Sequence, residues 1–545
     1  MKTLSGERKL NVRVMYCKTH GVVDTGATDV VNRICPPGYI FDSKVMIVTG
    51  LLRWFCNLQR EEIQVLFMGR GTSISTGEIS NLSEEFLFRF YVLHRKHIPQ
   101  MNAVFNRNNG MVFHLDGTGE AGDDIVFSAK EGITGFTLDA RILPSESKTF
   151  LKPFLEKMHD SFGVPLVVMR DMSKQIKESV SESYPGVLQL ICHYHFVKNL
   201  GKIIFKDRYE TLRRLIVGTK ILSQLVTLKE SILNDTEPGS LLVRGECLWV
   251  SLAVEYLLWP REKASGYPFV LPYFEIMKRM AEVKQLVGRI IWWNRDHNCA
   301  VGPVLTFSEN IESMYKNKQV MRQCYQIERM YGWFEEMRGI LDVQRHLSDN
   351  EQKNMPMNSE HMKVKLDQTL ARINREVYGL DESFHRVVKT ISDQFQKHQQ
   401  ELFAEVYDAN GDIIDIVRHN GIEERSHRWS RMHNRRRTGR NKTTNDMVKY
   451  GGLLAVLSNL ENKTYVEDVL SDVTDLVYAM QNVTSEEIEA AKKMMNVHSR
   501  KHLVRSDNLR SDLLFEFVDL LESSESQKNA SLEDWVYKLE NPTPK

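Results

Sequence analysis

The feature that most constrains this chain is a change of periodicity near Met111. Upstream, apolar residues recur at helical spacing: Val45, Met46, Val48, Leu51, Leu52 and Phe55 lie in a helix expected over Ser43–Asn57. Arg60–Met68 predicts a second helix, ended by Gly69 and Gly71. Ser75-Thr-Gly-Glu78 is a capping-box pattern that opens a third helix through Phe90. Downstream, MVFHLDGT, DIVFSAK and GITGFTLDARIL predict three strands joined by short turns. An amphipathic helix over Ser147–Phe162 follows, then the continuous apolar run VPLVVMR. Such a run predicts a strand buried on both faces. Ser173–Ser183 reads as helix, and LQLICHYHF as a fifth strand leading into helix.

Two aspartates occupy matching places in this pattern. Asp116 ends the first strand in HLDGT, and Asp171 ends the fourth in VVMRD. Chemistry in open sheets gathers at the carboxyl ends of strands. Two carboxylates there suit a hard divalent cation, which prefers oxygen ligands. Gly117 permits close approach of backbone or substrate. The competing use of each Asp is as a turn or cap residue. Asp123, Asp124 and Asp139 are expected to be solvated.

The blocks HLDGTGE, VVMRDMSKQI and ICHYHFVKNL resemble the catalytic core of D-D-E transposases from bacterial insertion sequences. Cys192-His-Tyr-His195 is similar to the Cys-x-x-His signature of Mutator-like and related transposases. Asn420-Gly-Ile-Glu423, followed by a basic stretch, is similar to the element that supplies their third carboxylate. The resemblance spans residues 37–450 in order and is sharp only in these blocks. It implies a ribonuclease-H-like core whose three strands, helix, strand, helix and strand match the order read above. It also implies a metal site of Asp116, Asp171 and Glu423, with Glu424 the adjacent substitute. The gap from Asp171 to Glu423 is too long for one connection and must hold a domain. The resemblance makes that domain a helical insertion.

The fold class expected is therefore multidomain α/β and all-α. An irregular segment, 1–36, precedes a helix-turn-helix domain, 37–105. The ribonuclease-H-like core, 106–200 and 416–442, is interrupted by a helical insertion, 201–415. Residues 443–545 form a helical C-terminal region. Two Mg²⁺ or Mn²⁺ ions about 4 Å apart would activate water and stabilise the leaving oxygen without a protein nucleophile. No Gly-rich phosphate loop for ATP is present. Cys192 and His195 are expected as a structural signature rather than half a zinc site, with His193 exposed. Cys17, His20 and Cys35 offer three ligands for a Zn²⁺ knuckle. With no clear fourth ligand, an unmetallated, partly buried set is favoured over that knuckle.

Formal net charge is only +1, so a DNA partner requires local segregation of charge. Residues 425–440 supply it through Arg425, Arg428, Arg431, Arg435, Arg436, Arg437 and Arg440. Spacings of three and four put Arg425, Arg428, Arg431 and Arg435 on one helical face. In the helix-turn-helix, Thr76, Ser80 and Asn81 would reach bases or phosphates. Trp249, Trp292 and Trp293 are expected in the core, with stacking on an unpaired base as the alternative.

With 42% hydrophobic and 26% charged residues the composition is that of a soluble protein. No segment reaches the roughly 20 apolar residues of a membrane span, and the amino terminus lacks a signal-type apolar core. The expectation is a cytoplasmic, nucleoid-associated transposase. It would bind terminal inverted repeats and target DNA as a homodimer or higher oligomer. A ribonuclease-H-like nuclease, a domesticated DNA-binding transposase and a zinc-dependent regulator are the alternatives.

Overall fold

The computed structural model describes all residues except 10–14, 20, 24–30, 32–33, 36–39, 120–123, 235–240, 263–265, 298–300, 344–357, 420, 440–443, 474 and 497–545. At 15, 21–23, 241, 261–262, 422–430, 444–448 and 496 the backbone alone is described.

The chain is mixed α/β, organised around one five-stranded sheet. Its strands are β1 (Val112–Thr118), β2 (Ile125–Glu131), β3 (Thr137–Leu143), β4 (Val167–Arg170) and β5 (Leu188–Ile191). The order across the sheet is β3-β2-β1-β4-β5. β1, β2 and β3 form an antiparallel meander, while β4 and β5 run parallel to β1. The apolar runs explain why the central strands are covered on both faces. Along β1, Phe113 and Leu115 enter one core, whereas Val112 joins Val167, Met169 and Leu190 in another.

The amino-terminal helices are α1 (Ser43–Gly50), α2 (Arg60–Met68), α3 (Thr76–Lys96) and α4 (Ile98–Arg107). α1 runs into a π-helical turn, Leu51–Phe55, that completes the helical stretch expected there. Ser75 caps α3 by accepting from the Glu78 amide at 3.1 Å. α3 extends beyond Phe90 because its second half is buried. Phe86, Phe90 and Tyr91 lie in the same core as Phe113, Leu115 and Phe127. The apolar core is thus continuous across the domain boundary expected at residue 105.

α5 (Lys148–Phe162), closed by Gly163 at φ +81°, and α6 (Lys174–Ser183) connect β3 to β4 and β4 to β5. The helical segment between β5 and the basic stretch has its own core. It comprises α7 (His193–Gly218), α8 (Ile221–Asn234), α9 (Leu241–Glu262), α10 (Pro272–Asp296), α11 (Gly302–Lys316), α12 (Lys318–Ile340), α13 (Ser359–Glu376) and α14 (Glu382–Phe403). α14 returns to pack on β5. A small hairpin, Val406–Tyr407 with Ile413–Ile414, leads to α15 (Gly421–Thr438). α16 (Thr444–Leu457) then lies close against β3, with Ala140 O only 2.8 Å from a Cβ built on Gly452. α17 (Leu476–Gln481) and α18 (Ser485–Asn496) complete the described fold. Among the described residues, no helix is long and apolar enough to cross a membrane.

Several polar residues differ from expectation. Asp139 is 1% exposed, not solvated. Its carboxylate receives Arg141 at 2.7 Å and Tyr91 Oη at 3.1 Å. Burial alone would raise its pKa, but the Arg141 and Arg95 guanidiniums outweigh burial and hold it below the ordinary value. Asp124 is likewise buried, while Asp123 lies outside the described residues. His193 is buried rather than exposed. Its ring nitrogens lie 3.3 Å from Leu341 O and 3.1 Å from Leu402 O, joining the start of α7 to the ends of α12 and α14. Burial pushes its pKa down to about 4, so the ring is neutral and one nitrogen donates.

Candidate active site

β1 and β4 bring the first two expected carboxylates together. Their parallel register pairs Val112 with Val167, Phe113 with Val168 and His114 with Met169. Carried forward in step, that register sets Asp116 level with Asp171. Side chains alternate along a strand, so Asp116 projects to the face that carries Val112, while Asp171 stands one residue past the end of β4. Neighbouring strands lie about 4.8 Å apart, which is close enough for two carboxylates to address one cation or a pair.

Each carboxylate is held by its own chain. Asp116 is 5% exposed, and its Oδ1 accepts from the Gly117 amide at 3.1 Å. Asp171 Oδ1 accepts from the Ser173 amide at 2.7 Å, and the Ser173 hydroxyl in turn caps α6. One Asp171 oxygen therefore fixes the turn, as a cap residue would. The other makes no hydrogen bond among the described residues.

Behind Asp171 stands Arg170, 1% exposed. Its guanidinium donates to the Asp171 carbonyl at 2.8 Å, Gln189 Oε1 at 2.8 Å and Glu401 Oε1 at 2.6 Å. Glu401, on α14, also receives Lys177 at 2.8 Å and His398 at 3.0 Å. The end of the helical insertion is thereby tied to the strand end that carries Asp171. The sequence reading missed this pair.

It also missed Glu146. A Cβ built on Gly117 would lie 2.5 Å from Glu146 Oε1, so the missing side chain leaves room for that carboxylate. Burial, and then the negative charge of Asp171, push its pKa up to about 7. Nothing in the motif blocks singles out this residue, because only folding carries it beside the first strand.

The third expected carboxylate lies on α15, which packs against β1 and β2. Glu423 and Glu424 are at the third and fourth positions of that helix. Their side chains, with those of Arg425 and Arg428, lie outside the described residues, as does Arg440. Among the described residues, no three His, Cys, Asp or Glu side chains are gathered so as to hold a metal ion. Asp116 and Asp171 are oxygen donors of the kind Mg²⁺ or Mn²⁺ takes, and their levelled positions fit such an ion.

The basic helix divides into two faces. Arg431, Arg435 and Arg436 are exposed. Arg437 is not a surface cation: it is 3% exposed, donates to Asn57 Oδ1 at 3.0 Å and sits 4.8 Å above the Trp54 ring. His433 lies 3.0 Å from Asn57 Nδ2 on the same side. Arg437 therefore docks α15 onto the amino-terminal helices, which corrects its expected role on DNA. Ser80 is half-buried and accepts from Arg60 at 3.3 Å; Thr76 is also half-buried, whereas Asn81 is exposed.

Cys192 is fully buried where β5 ends, and its amide donates to Arg170 O at 2.7 Å. His195 follows on the first turn of α7, half-buried beside Tyr194. In the amino-terminal set, His20 lies outside the described residues. The Cys35 thiol donates to Phe41 O at 3.1 Å, and burial raises its pKa, which favours the thiol over the thiolate that zinc requires. The tryptophans also depart from expectation: Trp249 is half-buried, and Trp292 and Trp293 are 66% and 39% exposed.

No protein-family model matches the chain, and no curated protein matches it in sequence.

Proposed function

We propose that this chain is a D-D-E DNA transposase with a ribonuclease-H-like core, using Asp116, Asp171 and Glu423 to cleave and join DNA. The observation that carries the reading is the parallel register that levels Asp116 with Asp171. The strand order β3-β2-β1-β4-β5 and the packing of α15 on β1 support it. Asp116 and Asp171 would hold two divalent cations with Glu423 from α15. Those ions would supply Lewis acidity for the attacking oxygen and the leaving oxygen.

The remaining work falls to side chains of this chain. Arg170 fixes the backbone of Asp171, and Gly117 leaves room for the Glu146 carboxylate beside β1. Arg431, Arg435 and Arg436 pair with backbone phosphates of duplex DNA and set the strand over the site. Asn81, exposed in the second turn of α3, contacts the terminal repeat with the half-buried Thr76 beside it. The same site then serves strand transfer, in which the 3′-hydroxyl freed by hydrolysis attacks a target phosphorus, loses its proton to water and displaces the 3′-oxygen of the target strand. The enzyme acts in the cytoplasm on nucleoid DNA.

The test mixes purified protein with the DNA segments that flank its own gene, a target plasmid and Mg²⁺ or Mn²⁺. Cleaved ends joined to the plasmid are expected. Cleavage without joining would make the protein a nuclease. Binding without cleavage would make it a DNA-binding protein only.

A further inference from the structure

Two basic helices start from one point beside the candidate carboxylates. The Cys192 amide donates at 2.7 Å to the carbonyl of Arg170, the neighbour of Asp171, and α7 begins at the next residue. The His193 amide then donates to Arg418 O at 2.9 Å. Shortly after Arg418, α15 begins at Gly421. His193 and Arg418 are 1% and 3% exposed, so this junction is tightly packed. From it, α15 carries the exposed Arg431, Arg435 and Arg436. α7 carries a second basic row, Lys198, Lys202 and Lys206, at successive steps of four.

Steps of four keep these lysines neighbours along one side of a helix. Lys202 and Lys206 are exposed, and neither makes an ion pair or hydrogen bond among the described residues. Lys198 is half-buried, its ammonium 5.5 Å from the centre of the Tyr194 ring. Like charges at this spacing repel and weaken a helix. Other lysines of the fold meet a carboxylate at the same spacing: Lys152 with Glu156, Lys174 with Glu178 and Lys463 with Glu467. Glu210 stands one step of four beyond Lys206, yet Arg213 engages it at 2.9 Å. Among the described residues, the row on α7 is thus left without a carboxylate to offset its repulsion.

On the reading of the site as one that cuts DNA, we propose that the backbone of duplex DNA leaves it along α7 as well as along α15, with Lys198, Lys202 and Lys206 on its phosphates. The spacing suits that partner. A step of four residues rises about 6 Å along a helix. One strand of a duplex carries a charge about every 3.4 Å of its axis, so a row with this rise meets alternate phosphates. A lysine ammonium is a compact charge on a flexible stem, and contacts to phosphate carry no sequence information. The row therefore serves duplex of any sequence, either the DNA that flanks an element end or the target.

The test measures binding of the full chain across a salt series to two duplexes, one carrying the flank of its own gene and one unrelated. Lys202→Gln and Lys206→Gln are each expected to reduce the slope of log K against log salt by about 0.9, and the double variant by about 1.8. Their melting temperatures are expected to stay level or rise, because the changes relieve repulsion. Lys365→Gln, at an exposed lysine of α13, is expected to keep the parental slope. A reduced slope on both duplexes supports the proposal and assigns the row to target DNA. A reduced slope on the flank alone supports it and assigns the row to the flank. A folded double variant with the parental slope on both overturns the proposal, and leaves the transposase reading standing if it still cleaves. A parent that binds neither duplex overturns both.

Discussion

Arg170 and Glu401, on the last helix of the insertion, meet at 2.6 Å although 231 positions apart in the chain. The same guanidinium holds the carbonyl of Asp171 at 2.8 Å. The insertion is thus fastened to the strand end that presents a candidate metal ligand. Burial would raise the Glu401 pKa, but Lys177, His398 and Arg170 outweigh it, so the carboxylate stays charged. Glu401→Gln is expected to cost about 2 kcal/mol in denaturant unfolding, the scale of a charge-assisted hydrogen bond. It is also expected to lower DNA cleavage at least tenfold, with Glu401→Asp recovering part of both. Unchanged cleavage in a folded Glu401→Gln protein would disconnect the insertion from the site.

The two faces of α15 make opposite predictions. Arg435→Ala and Arg436→Ala are expected to weaken DNA binding without changing stability. Each should reduce the slope of log K against log salt by about 0.9, the share of one phosphate contact. Arg437→Ala is expected to leave that slope unchanged and to destabilise the fold by about 2 kcal/mol, because Asn57 and Trp54 lose their partner. A lower salt slope for Arg437→Ala would return that residue to the DNA surface.

The strands and the first two aspartates were legible because their signals are local. Continuous apolar runs mark strands covered on both faces; Asp171 follows one of them directly, whereas Asp116 lies within β1, which continues to Thr118 instead of ending there. Helix starts such as Ser75 were legible through their caps. Residues whose surroundings come from distant segments were not. His193 is buried because Leu341 and Leu402 return to it. Asp139 is buried because Tyr91 and Arg141 satisfy it. Arg437 looked like its neighbours in a basic run until Trp54 covered it. Glu146 has no motif at all and reaches the site only through the tertiary path from β3 to α5.

Histidine burial sets the acid limit of the fold. His193 and His94 have folded pKa values of about 4, against an ordinary 6.5, chiefly because burial disfavours the charged ring. The unfolded chain therefore takes up protons first as pH falls below 6.5. Stability is lost progressively between pH 6.5 and about 4, by on the order of 3 kcal/mol per residue at most. His193→Gln is expected to flatten the profile of melting temperature against pH in that window by one proton's share. An identical slope in parent and variant would mean that His193 does not stay neutral in the fold.

Two glycines separate packing from chemistry. A Cβ at Gly452 would meet the Ala140 carbonyl oxygen at 2.8 Å, and backbone yields poorly. Gly452→Ala is expected to cost about 2 kcal/mol as α16 is forced off β3. A Cβ at Gly117 would meet the end of the Glu146 side chain, which can swing away, and Ile125 Cδ1 at an ordinary 3.4 Å. Gly117→Ala is expected to keep the parent's melting temperature within a few degrees while altering cleavage. A large loss of stability in Gly117→Ala would show that Glu146 cannot move.

The most direct test of the carboxylate assignment is DNA cleavage in Mg²⁺ by four single variants. Asp116→Asn, Asp171→Asn and Glu423→Gln are each expected to lose on the order of 10³-fold or more in rate, with Glu424→Gln remaining near the parent. Cleavage by Asp116→Asn at the parental rate would contradict the account.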